Sequence, residues 1–250
     1  MTTKRLPRSC IRRPSMPDDR VIRILSRLAA DDGNGEATRL CAVCAEVTMM
    51  TGAGIMLLSG DIPQGSVCTT NSVSTLIEEL QYTLGEGPCV DAHRQHTPIA
   101  EPDLANPEFI RWSQFAVAAV DAGARAVFGF PVSIGNVHIG ALNLYRDRPG
   151  PLTDDQYANA LVVADVAARA IITMQSAASP GALGPELESG GNFRFVVHQA
   201  AGMISVQLGV PVDEALLRLR AYAYSSGRSI SDVARDVTAR RIRLDIVDDL

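Results

Sequence analysis

The chain predicts an α+β fold: an antiparallel sheet flanked by helices, followed by a small all-α module of three helices. Three observations carry this prediction. The stretch AVFGFPVSIGNVHIGALNLY, Ala126–Tyr145, holds two apolar strands around Gly135-Asn136, the strongest hairpin signal in the sequence. Helical apolar spacing lies on both sides of it, before residue 50 and again from Thr153. Past a Gly-, Pro- and Ser-rich stretch, Ser176–Asn192, the pattern changes to three short helices.

Taken in order, residues 1–17 are basic and carry three prolines with no apolar run behind the charges. They read as a disordered basic arm and not as a signal peptide. Arg20–Ala30 and Thr38–Met50 are predicted helices, with Ile24, Leu28, Leu40, Cys41, Cys44 and Val47 at helical steps. Gly52–Ser59 is a short apolar strand before the turn residues Gly60-Asp61, and Ser66–Thr70 is its candidate partner. A helix covers Ser74–Gln81, and the loop TLGEGPCVDA then runs into a short helix near Cys89. After the hairpin, Thr153 caps a helix that continues to about Gln175, with Asp154 and Asp155 on its positive end. The first domain is thus placed at 18–176 and the linker at 177–192, leaving 193–250 for the second domain.

In that second domain Phe193, Val196, Val197, Ala200, Met203, Ile204 and Leu208 form one apolar stripe. Gly209 ends this helix and Pro211 opens the next, in which Ala215, Leu216, Leu219, Tyr222 and Ala223 are predicted to face inward. Gly227 stops it, and Ser229 caps a third helix through Ile230, Val233, Ala234 and Val237. So small a bundle is marginal by itself, and pairing with another chain would support it.

The 250 residues are 46% hydrophobic and 20% charged, enough for two domains with real cores. No run of 18 apolar residues is seen, so no membrane span is expected, and the chain is expected in the cytoplasm. Five cysteines in such a chain argue for free thiols. The four histidines do not cluster in sequence at metal-ligand spacing. Residues 31–191 hold 7 Lys+Arg against 19 Asp+Glu, a middle that repels nucleic acid. Residues 192–250 hold 8 against 7, with Arg228, Arg235, Arg240, Arg241 and Arg243 close together. That arginine cluster is either a solvated helix end or a phosphate-binding face.

The element order and the GFPVSIGNVHIGALNLY hairpin, with Gly140 before its last apolar run, resemble a GAF domain over Asp18–Ser176. The blocks QAAGMI (Gln199–Ile204), EALLRLRAYA (Glu214–Ala223) and ISDVARDV (Ile230–Val237) resemble an ANTAR domain, in family order and at family spacing. The TLGEGPCVDA loop is typical of chains joining the two. One departure is Ala201, where a basic residue is common in the family.

The resemblance implies an RNA-binding transcription antitermination regulator, not an enzyme. ANTAR proteins bind paired hairpins in nascent leader transcripts, usually as homodimers. RNA is then the expected partner, and no cofactor is required for the module. The RNA-binding residues implied are Gln199, Ala200, Gly202, Arg220, Tyr222, Arg228 and Arg235, which supply cations, a planar ring and close backbone approach. For Tyr222 core packing is the alternative. GAF domains bind small molecules, and a sensor pocket here would involve Cys89 and His138.

Cys89 follows Gly87-Pro88 near a helix N-terminus, where a thiolate is stabilised, so it either senses oxidants or packs. Cys41-x-x-Cys44 reads as two buried small hydrophobes rather than a redox pair. His93, His96 and His138 either line a ligand pocket, as for haem, or are structural. Two other functions stay open: a GAF-fold, cysteine-dependent methionine sulfoxide reductase, and an adaptor whose helical module binds protein and ignores RNA. The signal and the target transcripts are not encoded in any motif.

Overall fold

A computed structural model describes residues 17–30, 35–59, 62–107, 111–176, 192–193 and 195–244. The basic arm before residue 17 and the interior of the linker, 177–191, lie outside the described residues. The elements run α1 (Pro17–Leu28), α2 (Glu36–Thr48), β1 (Gly52–Ser59), β2 (Ile62–Thr69), α3 (Ser72–Leu84), α4 (Pro88–Gln95) and β3 (Ile99–Glu101). They continue with α5 (Ser113–Asp121), β4 (Ala126–Ile134), β5 (Val137–Arg146), α6 (Asp154–Ser176) and β6 (Asn192–Phe193). The last three helices are α7 (Phe195–Leu208), α8 (Val212–Ser225) and α9 (Ile230–Thr238).

The six strands form one antiparallel sheet in the order β3-β4-β5-β1-β2-β6. The register sets which side chains face which layer, because successive residues of a strand point to opposite faces. Ile55 pairs with Leu142 and Phe128 with Leu144, and all four enter the core beneath α1, α2 and α6. Their neighbours Met56, Ala141, Val127 and Tyr145 enter cores on the other face. Gly140 lets β5 lie close on β1, since a Cβ there would sit 2.0 Å from the Met56 carbonyl oxygen.

Thr153 and Gln156 cap α6 reciprocally, Thr153 Oγ1 accepting at 3.2 Å and Gln156 Oε1 at 3.0 Å. Arg20 of α1 is buried and donates to Asp155 at 2.6 Å, which ties α1 to the start of α6. By length and composition alone α6 could cross a bilayer. Half of its most apolar window is buried, as a core helix laid on the sheet requires.

Three elements were not anticipated, among them β6, which takes Asn192 from the expected linker and Phe193 from the expected helix, so that α7 starts at Phe195. β3 has only three residues, too few to show alternation, and α5 follows an irregular stretch without a capping side chain. The expectation of free thiols also fails in part. α2 lies across β2 so that the Cα atoms of Cys41 and Cys68 are 5.9 Å apart, and the two form a disulfide. Cys44, one turn further on, remains a buried thiol, and burial pushes its pKa up to about 12.

The C-terminal helices enclose Val197, Ile204, Leu216, Leu219, Ile230 and Val233. α7 and α8 meet at 108°, with Gly209 at φ +66° between them. This core is continuous with Met56, Leu58, Tyr82, Cys89 and Ala141 of the first domain. The part of this second sheet face that α3, α4 and α5 leave open is therefore covered by the helical module. β6 adds a second attachment by pairing with Gly65 and Ser66 of β2. The extra burial that a three-helix bundle needs is supplied here by the sheet.

Candidate nucleic-acid interface

The outer side of the module carries a groove of about 730 Å³ between α7 and the residues after α9. Met203, Val206, Val237 and Ile242 give it an apolar floor, while Gln199, Arg240 and Arg243 stand at its rim. The groove exists because the chain reverses after α9. Arg240 adopts φ +59°, Arg241 N–H returns to the Asp236 carbonyl at 2.7 Å, and Gln207 of α7 holds the Leu244 carbonyl at 2.7 Å. Val206 is 86% exposed, so the floor is open to a planar apolar group.

The arginines of this region are largely balanced from within. Arg228 and Arg241 share Asp236 at 2.5 and 2.7 Å, and Arg235 pairs with Asp232. Hydrogen bonds from Arg228 and Arg241 hold the Asp236 carboxyl below its ordinary value, and Arg235 and Ser229 do the same for Asp232. Pairs this exposed are weak, because solvent and salt screen them, so an incoming phosphate can compete for the cations. Arg240 makes no ion pair among the described residues.

The seven RNA-binding residues inferred from sequence do not form one patch. Gln199 is exposed on the groove rim, and Gly202 lines the groove with open space where a side chain would project. Ala200 is fully buried between helices, so its smallness serves packing rather than contact with a ligand. Ala201 is fully buried as well, so in this arrangement its position offers no route to solvent for a cation. Tyr222 is 37% exposed and does not belong to the core stripe: α8 turns Ala215, Leu216, Leu219 and Ala223 inward instead. Arg228 and Arg235 are exposed. Arg228 also lines a second groove, of about 510 Å³, between α3, α5 and the end of α8.

Arg220 lies at the junction of the two domains. Its guanidinium sits 5.8 Å from the centre of the Tyr82 ring of α3. Burial lowers its pKa, Tyr82 opposes that shift, and Arg94 of α4 adds to it. Beside it, the Tyr224 hydroxyl donates to Gln114 of α5.

Cys89 and His138 were the residues expected in a sensor pocket. Cys89 does fall in the first turn of α4, but it is fully buried. Burial first, and then Glu78, pushes its thiol well above the ordinary range, with Gln81 opposing. The thiolate expected from a helix N-terminus is thus not favoured, because desolvation outweighs the helix dipole. Gly129 of β4 permits this packing: a Cβ there would lie 2.2 Å from the Pro88 carbonyl oxygen. His138 stacks on His96 with ring centres 3.7 Å apart, and His93 is 6.3 Å from it. The fold assembles a trio that the sequence disperses, and burial followed by the other two rings lowers the pKa of His138. Among the described residues no three His, Cys, Asp or Glu side chains are placed to hold a metal.

A GAF domain family profile matches residues 36–172, and an ANTAR domain profile matches residues 187–237. The chain therefore belongs to the GAF domain family. It is more particularly a GAF and ANTAR domain-containing regulator, the second domain following the first. Several solved structures are similar to part of the chain. A domain of a two-component sensor histidine kinase protein from Sinorhizobium meliloti 1021 is 21% identical with a TM-score of 0.45, covering 55% of this chain and 89% of its own. The GAF domain of a phosphoenolpyruvate-protein phosphotransferase from Coxiella burnetii is 13% identical with a TM-score of 0.47, covering 64% and 95%. A free methionine-R-sulfoxide reductase from Neisseria meningitidis is 16% identical with a TM-score of 0.44, covering 65% and 92%. No curated protein matches the chain.

Proposed function

We propose that this protein is a cytoplasmic RNA-binding antitermination regulator. Its GAF domain responds to a small-molecule signal and controls an ANTAR module that binds paired hairpins in nascent RNA, the working unit being a homodimer. The observation that carries this reading is the ANTAR match over 187–237, directly after a GAF domain. The chemistry of the module's surface supports it. Tyr222 offers an exposed ring for stacking an unpaired base, and Arg228 and Arg235 offer exposed cations for phosphates. The open groove adds Gln199, with free polar atoms for a base edge, and Arg240. Control follows from docking: in the sheet-bound arrangement Arg220 is turned towards Tyr82 and away from that surface.

Crosslinking of the full chain in cells, followed by sequencing of the bound RNA, tests the proposal. Tandem hairpins ahead of terminators are expected, and recovery with an R228A/R235A double variant should fall to background. In vitro the recovered RNA should bind that variant with a salt slope smaller by about 1.5, near 0.7–0.9 for each lost phosphate contact. RNA recovery no better than background for the native chain would replace this reading with the protein-binding adaptor.

A further inference from the structure

Arg220 is a largely buried charge, and three of its five N–H donors have no hydrogen-bond partner. Its Nε and Nη2 are both buried, and neither has a hydrogen-bond partner. The remaining nitrogen, Nη1, lies beside Gly85, where a Cβ would approach within 3.5 Å. Nε and Nη2 form one edge of the guanidinium, with parallel N–H groups. Two arginines of this chain show what that edge binds: Arg218 turns it on Glu214 at 3.1 and 2.6 Å, and Arg169 on Asp165 at 3.0 and 3.3 Å.

Tyr82 and Arg94 act electrostatically on Arg220, and Arg220 in turn acts on His198. His198 comes from α7, and its ring is bonded on one side to the Gln64 backbone of β2. Its Nε2 is also buried without a hydrogen-bond partner. Elements of both domains thus converge on Arg220, where its Nε and Nη2 and the Nε2 of His198 are all buried without a hydrogen-bond partner. Buried charges in folded proteins are normally paired, because desolvating one alone costs several kcal/mol in general. Two parallel N–H donors match two oxygens of a carboxylate or phosphate group in geometry as well as charge.

We propose that the junction between the two domains is a receptor for a small oxyanion, held bidentately by the Nε/Nη2 edge of Arg220 and assisted by His198, whose Nε2 takes up a proton as the anion binds. The ligand is a small molecule carrying a carboxylate or a phosphate group, because the edge is buried between α8 and α3. Such a ligand contacts both domains at once and favours the docked arrangement over the released one. The site is separate from the groove on the outer side of the module, and it stands whether or not the module binds RNA.

Titration calorimetry and thermal melting of the full chain test this, with sulfate and acetate as probes and chloride holding the ionic strength constant. One probe should bind saturably at one site per chain and raise the melting temperature. A sulfate response identifies a phosphate-like ligand and an acetate response a carboxylate. R220M, similar in length but uncharged, should weaken binding roughly 10- to 100-fold, as expected for charge-assisted hydrogen bonds. H198N should weaken it less and serves as the second variant if R220M does not fold. Absence of saturation by either probe overturns the proposal. So does unchanged binding in both variants, or loss of RNA binding in R220M when neither anion binds.

Discussion

Leu219→Ala tests whether the helical module and the GAF domain fold as one body. Leu219 is fully buried in the core that also contains Met56, Leu58, Tyr82, Cys89 and Ala141 of the first domain. Truncating a buried leucine removes its transfer free energy and leaves a cavity, together about 2–5 kcal/mol. For a chain of this size each kcal/mol moves the midpoint by roughly 2–4 °C, so a fall of about 5–15 °C is expected. Two probes separate the domains. Circular dichroism at 222 nm sees every helix, whereas the single tryptophan, Trp112, lies in the GAF domain with its indole N–H on Asp91 at 2.9 Å. If the core is shared, both probes lose stability together and their transitions coincide. A Trp112 transition that stays at its native midpoint, while part of the helical signal melts early, would show that the module is only tethered.

Two further outcomes follow from the structure. Removal of the Cys41–Cys68 bridge by Cys68→Ser should cost about 3.5 kcal/mol in urea unfolding, from the loop-closure entropy of its 27-residue span. Thiol titration in denaturant should then count three free thiols in the unreduced native chain and five after reduction, and five without reductant would remove the bridge. The second concerns acid. Asp232 and Asp236 release their protons more readily when folded than at their ordinary value of 3.8, so their stabilisation is complete above that value. It is lost as the pH falls through their folded values, and D236N should flatten the decline in melting temperature between pH 5 and 3. An identical acid profile for D236N would show that its two arginines contribute nothing.

Local patterns in the sequence carry a large part of this architecture. The Ala126–Tyr145 hairpin, the capped α6 and the three terminal helices are all written in periodicity and in Gly, Pro, Thr and Ser at their ends. The match of blocks 199–204, 214–223 and 230–237 to a family is likewise a local property. Features made by distant residues were not legible. Cys41 and Cys68 look like unrelated small side chains until α2 is laid across β2. His138 is far in sequence from His93 and His96, yet it stacks on one of them. Arg220 sits on a helix whose pattern leaves it on the flank, and only docking against α3 takes it from solvent. Tyr222 failed for the opposite reason: its spacing fits the apolar stripe, but the core is complete with alanines and leucines on either side.

The two-residue strand β6 deserves a different description from the one its length suggests. Paired with Gly65 and Ser66, it covers the outer edge of β2 at these two residues, where unpaired N–H and C=O groups would otherwise face other chains. In the proposed function, undocking of the module would strip that cover as it freed Arg220 from Tyr82. Release would then also be an unmasking. One event would leave a free cation on the module and an open strand edge on the sensor, so that signalling and self-association would be two readings of the same movement.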